Sequence, residues 1–375
     1  MRIRFLGGVR NVTGSKHLIE TDKTRLLIDC GLFQGHRRET YEKNRNLPFD
    51  VRLVNAMVLG HAHIDHSGNI PNLVRLGYKG PIYATKATVH ISQYMLLDSA
   101  YLQEKDAEFV NKKNLKKGLQ IIEPLYTIHD ALDSLRNFVP KNYNKPFKVG
   151  DDLEVNFIDA GHILGSALTI VKYKHNSKEI RLGYIVDLGR KGLPLLRSPV
   201  VAENLDYMII ESTYGNRVHA PISGAKEKLK NTLIKTYDKG GKLIIPSFAL
   251  ERTQEILFYL HKLYTENGIP QLPIYVDSPL AINLTSIYAE HIDCLDRKSR
   301  KIFLEGDDPF GFKLVRYTRT TDESKALNTE VGSCVIISAS GMAEGGRILH
   351  HLKNNISDPR NTIMIVGFMA ENTLG

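Results

Sequence analysis

The stretch "HAHIDH", His61 to His66, places three imidazoles and a carboxylate within six residues. It follows directly on "NAMVLG" (Asn55 to Gly60), a short apolar run that reads as a strand. His61 and His63 stand two apart at the end of that strand, so their side chains share one face. Asp65 and His66 fall at the turn into "SGNIPNLVRLG", where Ile70, Leu73 and Val74 keep helical spacing and Gly77 stops the helix. The backbone there can aim them at a second point nearby. This is geometry for two metals held close together, with nitrogen and carboxylate ligands that suit zinc. A lone HxH pair would more often be a surface feature; the added Asp65 and His66 make a metal site the stronger reading.

Further ligands are offered at other strand ends. "DAGHILGSA" (Asp159 to Ala167) sets His162 just after the apolar run "VNFI", between glycines that let the backbone come close. "YIVDLGR" (Tyr184 to Arg190) ends a strand on Asp187, followed by Gly189. A carboxylate in that position can bridge two cations about 3.5–4 Å apart. Taken singly, His162 would more often be a structural histidine and Asp187 a turn residue. Beside His61, His63, Asp65 and His66, both read as ligands. "LLIDCGLFQG" (Leu26 to Gly35) ends another strand on Asp29, a carboxylate suited to orienting a ligand imidazole or the site loop.

The chain has 375 residues, which points to two domains or to one large domain with an insertion. No run approaches the roughly 18 apolar residues of a membrane span. The opening "MRIRFLGG" reads as a first strand because its apolar stretch is too short for a signal peptide. Cys30, Cys294 and Cys334 are far apart and lack CxxC spacing. That argues against a disulfide framework or an all-thiolate zinc site, and it fits a reducing cytoplasm. The formal charge is +9, with basic clusters at His36–Arg38, Asn111–Lys117 and Arg297–Lys301. Such an excess favours a polyanionic partner, although solvated lysine faces are equally common.

Up to about residue 205 the chain reads as strands and short turns, with a helix over Val89–Asn114. Beyond it, "KLIIPSF", "PIYVDS", "SCVIISAS" and "NTIMIVGF" alternate with helical patterns such as "ERTQEILFYLHKLY" and "GGRILHHLKNN". Alternation of this kind predicts βα units around a parallel sheet. The division expected is 1–205 and 206–375, with the boundary between Asp187 and Glu211.

Asp29, HAHIDH, His162 and Asp187, in this order, resemble the first four motifs of the metallo-β-lactamase fold. "ESTYGNR" (Glu211 to Arg217), "PSFALERTQEIL", "VDSPLA", "SGMAEGGR" and "GFMAENTLG" are similar to recurrent stretches of the β-CASP insertion in its RNA- and DNA-processing branch. The likeness is greatest to bacterial and archaeal ribonucleases related to the pre-mRNA 3′-end cleavage subunit. Two positions depart from the family: Gly60 stands where Thr or Ser is usual, and Val186 where Gly is usual. Neither removes a ligand.

The resemblance implies an α/β protein, a four-layer αβ/βα sandwich with an inserted α/β β-CASP domain on a parallel sheet. It implies a cytoplasmic, zinc-dependent ribonuclease that hydrolyses single-stranded RNA, as an endonuclease, with a metal-activated hydroxide. One zinc would be held by His61, His63 and His162 and the other by Asp65 and His66, with Asp187 between them. Asp29, Asp187 and Glu211 would form the catalytic set, Glu211 orienting the group that protonates the leaving oxygen. Ser340, Gly341 and Arg347 are the expected phosphate-binding residues, since small residues near a helix start expose backbone N–H groups. The other readings are a small ester or thioester hydrolase, a DNA nuclease of the same family, and a non-catalytic RNA-binding subunit. The second domain argues against the first of these and the full ligand set against the last. No membrane partner is expected, and a homodimer is left open. In the family the chain returns to the first domain after "GFMAENTLG" with two more histidines. A chain ending at Gly375 is therefore expected to hold its second zinc more weakly and to leave a sheet edge uncovered.

Overall fold

Alternation along the early strands decides how the layers stack. In the computed structural model, Leu18 and Leu27 point to one side of a sheet, whereas Ile19, Leu26 and Ile28 point to the other. The structure describes every residue except His36, Asn176, Ser177, Ala220, Phe368 and Ala370–Asn372, and the side chains of Arg37 and Arg38. The basic run at His36–Arg38 and part of "GFMAENTLG" accordingly lie outside the described residues.

The first sheet holds six strands in chain order: β1 (Arg2–Gly7), β2 (Lys16–Glu20), β3 (Arg25–Ile28), β4 (Ala56–Val58), β5 (Ile82–Thr85) and β6 (Phe138–Lys141). Pairing is antiparallel as far as β3 and parallel from β3 to β6. The second sheet holds β7 (Phe147–Val149), β8 (Leu153–Asp159), β9 (Ala167–His175), β10 (Lys178–Ile185) and β11 (Tyr207–Ile210). It is antiparallel except for the parallel pair β10 and β11. Ile19, Leu26, Ile28 and Val58 of the first sheet meet Val155, Phe157, Val171 and Tyr184 of the second in one buried layer. The other face of the first sheet is covered by helices, with Ile70, Leu73, Leu96, Ala100 and Ala131 packed on Leu27, Met57 and Ala84. The outer face of the second sheet carries a smaller cluster, Ile158, Leu168, Ile170 and Ile185, against Ala202 and Leu205. All helices of this unit precede residue 136, so its described layers are helix, sheet and sheet.

The chain separates into two compact units: Met1–Lys191 with Ser198–Gly215, and Gly192–Arg197 with Asn216–Gly375. A line at residue 205 falls inside the first unit, just ahead of β11. The second unit is built on β12 (Leu243–Pro246), β13 (Ile274–Val276), β14 (Val315–Tyr317), β15 (Val335–Ser338) and β16 (Thr362–Ile363), in the order β14-β13-β15-β12-β16. All four pairings are parallel. Helices connect the strands, and β12 and β15 are buried along their whole length, as their unbroken apolar runs require. Of these five strands, β14 is the one that the sequence did not show, because "VRY" is too short and too polar to stand out. No helix among the described residues is long and apolar enough to cross a membrane.

Candidate metal centre

The residues picked out in the sequence gather where strands β3, β4, β8 and β10 end. Asp29 follows β3 directly, Asp187 lies two residues past the end of β10, and both sit in the left-handed region, with φ of 60° and 51°. Aspartate tolerates that conformation better than most residues, and it turns both carboxylates back across the strand ends. The Asp29 turn is stitched to the histidine cluster by backbone bonds, Ser15 N–H to Asp65 O at 2.9 Å and Cys30 N–H to His66 O at 2.8 Å. Gly31 lies so near that an added Cβ would stand 1.5 Å from Asp65 O. The Asp187 turn meets the His162 loop in the same way, with Gly189 N–H donating to Ala160 O at 2.9 Å. A Cβ at Gly189 would stand 1.7 Å from Gly161 O. Gly31→Ala and Gly189→Ala are therefore each expected to push ligand loops apart. Zinc titration should show affinity at least about 10-fold weaker, as for lost ligand support, and unchanged titration of both variants would contradict the account.

Four ligand atoms converge. His61 Nε2 is 3.1 Å from His63 Nδ1 and 3.3 Å from Asp187 Oδ2. His162 Nε2 is 3.2 Å from His63 Nδ1 and 3.4 Å from Asp187 Oδ2. All four atoms lie within 4.8 Å of one another. A tetrahedron of ligands at about 2.0–2.1 Å from a central zinc has edges of about 3.3–3.4 Å, so this donor set fits a tetrahedral ion. Asp187 faces two ways: its Oδ1 lies 3.4 Å from His66 Nε2, which is itself 3.8 Å from Asp65 Oδ2. Asp65, His66 and the outer oxygen of Asp187 thus form a second, looser group beside the first.

Asp29 is fully buried and collects donors. Its Oδ1 accepts Gly60 N–H at 3.0 Å. Its Oδ2 is 2.8 Å from His66 Nδ1 and accepts from Tyr184 OH at 3.2 Å and Ser15 Oγ at 3.3 Å. With Nδ1 engaged, Nε2 of His66 is turned toward Asp187, the arrangement by which an outer carboxylate orients a ligand imidazole. The sequence singled out Asp29, but not Ser15, Tyr184 or His17. Tyr184 lies three residues before Asp187 on β10 and reaches both Asp29 and His17 Nδ1, at 2.9 Å, only because the two sheets face each other.

The charge balance follows from burial and neighbours. Burial, reinforced by His66, holds His61 well below the ordinary histidine pKa. Burial and the nearby His162 push His63 down to about 4, so both imidazoles are neutral near pH 7, the form that metal binding requires. Burial opposes charge on His66 as well, but Asp187, Asp65 and Asp29 outweigh it and hold its pKa well above the usual value. His17 is lowered to about 4, mainly by burial. Unfolded, His17 and His63 would protonate near 6.5, so below that pH the unfolded chain binds protons that the folded chain refuses. Their contribution to stability is therefore present above 6.5 and lost as pH falls toward 4, whereas that of His66 is already complete below 6.5. In chelator, the melting temperature is expected to fall steadily across this window; a flat profile would contradict the burial of these rings.

The remaining candidates are placed as follows. Glu211 Oε1 accepts the N–H of Leu188 at 2.7 Å, one residue beyond Asp187, so it clamps the turn that carries Asp187. In the second unit, Ser340 Oγ accepts from Glu344 N–H at 3.1 Å, and a Cβ at Gly341 would stand 2.6 Å from the Phe248 ring. Arg347 donates to Asp277 Oδ1 at 2.7 Å, Thr318 O at 3.0 Å and Arg319 O at 2.8 Å. Three of the five N–H donors of its guanidinium are thereby committed inside the unit.

Sequence comparison agrees with this layout. The metallo-β-lactamase superfamily domain matches residues 18–188 and the β-CASP domain residues 253–375. Over 376 aligned residues, covering all of this chain and 81% of the relative, identity with ribonuclease TTHA0252 of Thermus thermophilus is 37%. The chain belongs to the β-CASP family of metallo-β-lactamase-fold proteins. Membership places it among metal-dependent hydrolases. Transcription termination factor FttA of Methanocaldococcus jannaschii is 33% identical over 381 residues, and the chain spans 57% of its length. An RNase J-like protein of the same organism is 32% identical over 379 residues, covering 79% of its length.

Proposed function

We propose that this β-CASP protein is a cytoplasmic, zinc-dependent endoribonuclease acting on single-stranded RNA. The observation that carries the proposal is the tetrahedral set of His61, His63, His162 and Asp187, with the second oxygen of Asp187 turned to His66 and Asp65. The relative named as a ribonuclease and the formal charge of +9 support RNA as the polyanion.

In this reading His61, His63, His162 and Asp187 would hold one zinc. Asp65 and His66, with Asp187 between the two groups, would hold a second. Bound there, the pair would supply an activated water and neutralise charge on the phosphate. Asp29 fixes the His66 ring by taking its Nδ1–H, so that Nε2 is kept as the ligand. Gly60 N–H, Ser15 and Tyr184 hold Asp29 in turn. Glu211 fixes the Asp187 turn through Leu188 and is assigned to orienting the proton donor for the leaving oxygen. Ser340, Gly341 and the uncommitted edge of Arg347 are assigned to the RNA phosphates.

The test is cleavage of one RNA labelled at its 5′ end and of the same RNA labelled at its 3′ end. Internal cuts from both labels, abolished by EDTA and restored by zinc, are the expected result. Undiminished cleavage by the His63→Ala, Asp65→Ala double variant would overturn the proposal. Binding should also weaken with salt: six neutralised phosphates give a log–log slope of about −4 on a single strand. A flat salt response in an anisotropy titration would count against RNA contacts of this kind.

A further inference from the structure

The long helix Lys86–Lys116 carries a stripe that the candidate metal centre does not use. The helix has 31 residues, about 46 Å of length. Its start is tied to the site: Thr85 Oγ1 and Thr88 Oγ1 both donate to Gly165 O, at 2.6 and 2.9 Å, three residues beyond His162. Its first half is packed, with Ile91, Met95, Leu96 and Ala100 buried. Its second half is largely bare. At 3.6 residues per turn, Tyr101, Lys105, Phe109, Lys112 and Lys116 fall within about 80° of arc, with Leu102 and Lys113 on the flank. Ala107 is buried on the opposite side.

This stripe is unusual for a solvated face. Tyr101 is 48% exposed and Phe109 57%. Lysines lie over both rings, Lys113 Nζ at 4.2 Å from the Phe109 centroid and Lys105 Nζ at 5.8 Å from that of Tyr101. Lys105 is balanced by Glu108 at 2.9 Å. Beyond Glu108 no acidic residue occurs until Glu123, whereas Lys112, Lys113, Lys116 and Lys117 are all exposed. Among the described residues none of these four forms an ion pair. Other carboxylates near the helix surface are Asp98, held up to about 6 by burial, Asp106, and Glu104, which accepts Ile128 N–H. All three lie toward the N-terminal side of Phe109.

We infer that the second half of this helix is an accessory single-stranded RNA-binding track, with Phe109 and Tyr101 as base-stacking faces and Lys112, Lys113 and Lys116 as phosphate contacts. Exposed aromatic rings interleaved with unpaired cations are the elements by which proteins hold single strands without reading their sequence. Lys112 and Lys116 are one turn apart, about 6 Å along the axis. From Tyr101 to Lys116 the track runs about 22 Å, room for a site of roughly four nucleotides. It begins about 24 Å along the helix from Thr85, so it would engage RNA distant from the bond being cut. The inference shares RNA as the ligand with the proposed function, but it does not require the metal cluster.

The test compares the whole chain with Lys112→Gln, Lys113→Gln, Lys116→Gln and, separately, with Phe109→Ala. A fluorescein-labelled uridine 20-mer reports binding by anisotropy over a range of salt. Bis(p-nitrophenyl) phosphate with zinc reports the metal centre. The triple variant is expected to bind the 20-mer at least about 10-fold more weakly, with its salt slope reduced by about 2, while turnover of the small phosphodiester is unchanged. Phe109→Ala is expected to weaken binding with the slope retained, and arginine at the three positions to restore it. Unaltered 20-mer affinity and slope in the triple variant would overturn the inference. So would a wild-type chain that ignores the 20-mer yet binds phosphatidylserine vesicles. Loss of binding in the triple variant, with no hydrolysis by any form, would uphold the track and refute the nuclease reading.

Discussion

Asp187→Asn is expected to lower RNA cleavage about 10²–10³-fold, the scale seen when a central electrostatic group is removed from an active site. The substitution keeps the size of the side chain and tolerates the left-handed backbone that Asp187 adopts at φ 51°. What changes is the charge and one oxygen. The charge matters doubly, because Oδ2 faces His61 and His162 while Oδ1 faces His66. Zinc bound per chain should therefore fall for both groups together, whereas His162→Ala, which removes a ligand from one group only, should leave the other its three ligands. The paired measurement is single-turnover cleavage and metal content after dialysis. Asp187→Asn with wild-type cleavage would remove the bridging role.

Asp29→Ala is expected to cost about 3–5 kcal/mol of stability and to weaken zinc binding about 10–100-fold. Asp29 is fully buried and serves four donors: Gly60 N–H, the His66 ring, Ser15 and Tyr184. Deleting the carboxylate strands all four in a site that water does not reach, and the His66 ring loses the partner that fixes its tautomer. Denaturant melts with and without zinc separate the two effects. A variant as stable as the parent, with unaltered zinc affinity, would show that Asp29 is an ordinary turn residue.

Much of the candidate site was legible because the residues that converge there sit where strands stop. The HxHxDH run, His162 and Asp187 each end an apolar stretch, and glycines beside them announce close backbone approach. The parallel sheet of the second unit was legible for a similar reason, since "KLIIPSF" and "SCVIISAS" are apolar throughout. What was not legible depends on pairing between distant strands. Ser15 and Tyr184 are 169 residues apart yet share a hydrogen bond of 2.8 Å, which only the facing of the two sheets brings about. Arg347 presents as an anion donor in "SGMAEGGR", yet Asp277, 70 residues earlier, takes part of its guanidinium. The break at residue 205 followed a change in sequence rhythm, but β11 pairs with β10 in the first unit. A parallel partner added at a sheet edge leaves no mark in local periodicity.

Zinc anomalous scattering from crystals of the zinc-loaded chain tests the central claim most directly. A peak is expected about 2.0–2.1 Å from His61 Nε2, His63 Nδ1, His162 Nε2 and Asp187 Oδ2, with a second beside Asp65 and His66. Zinc bound elsewhere in the chain, with no peak among these residues at full loading, would contradict it.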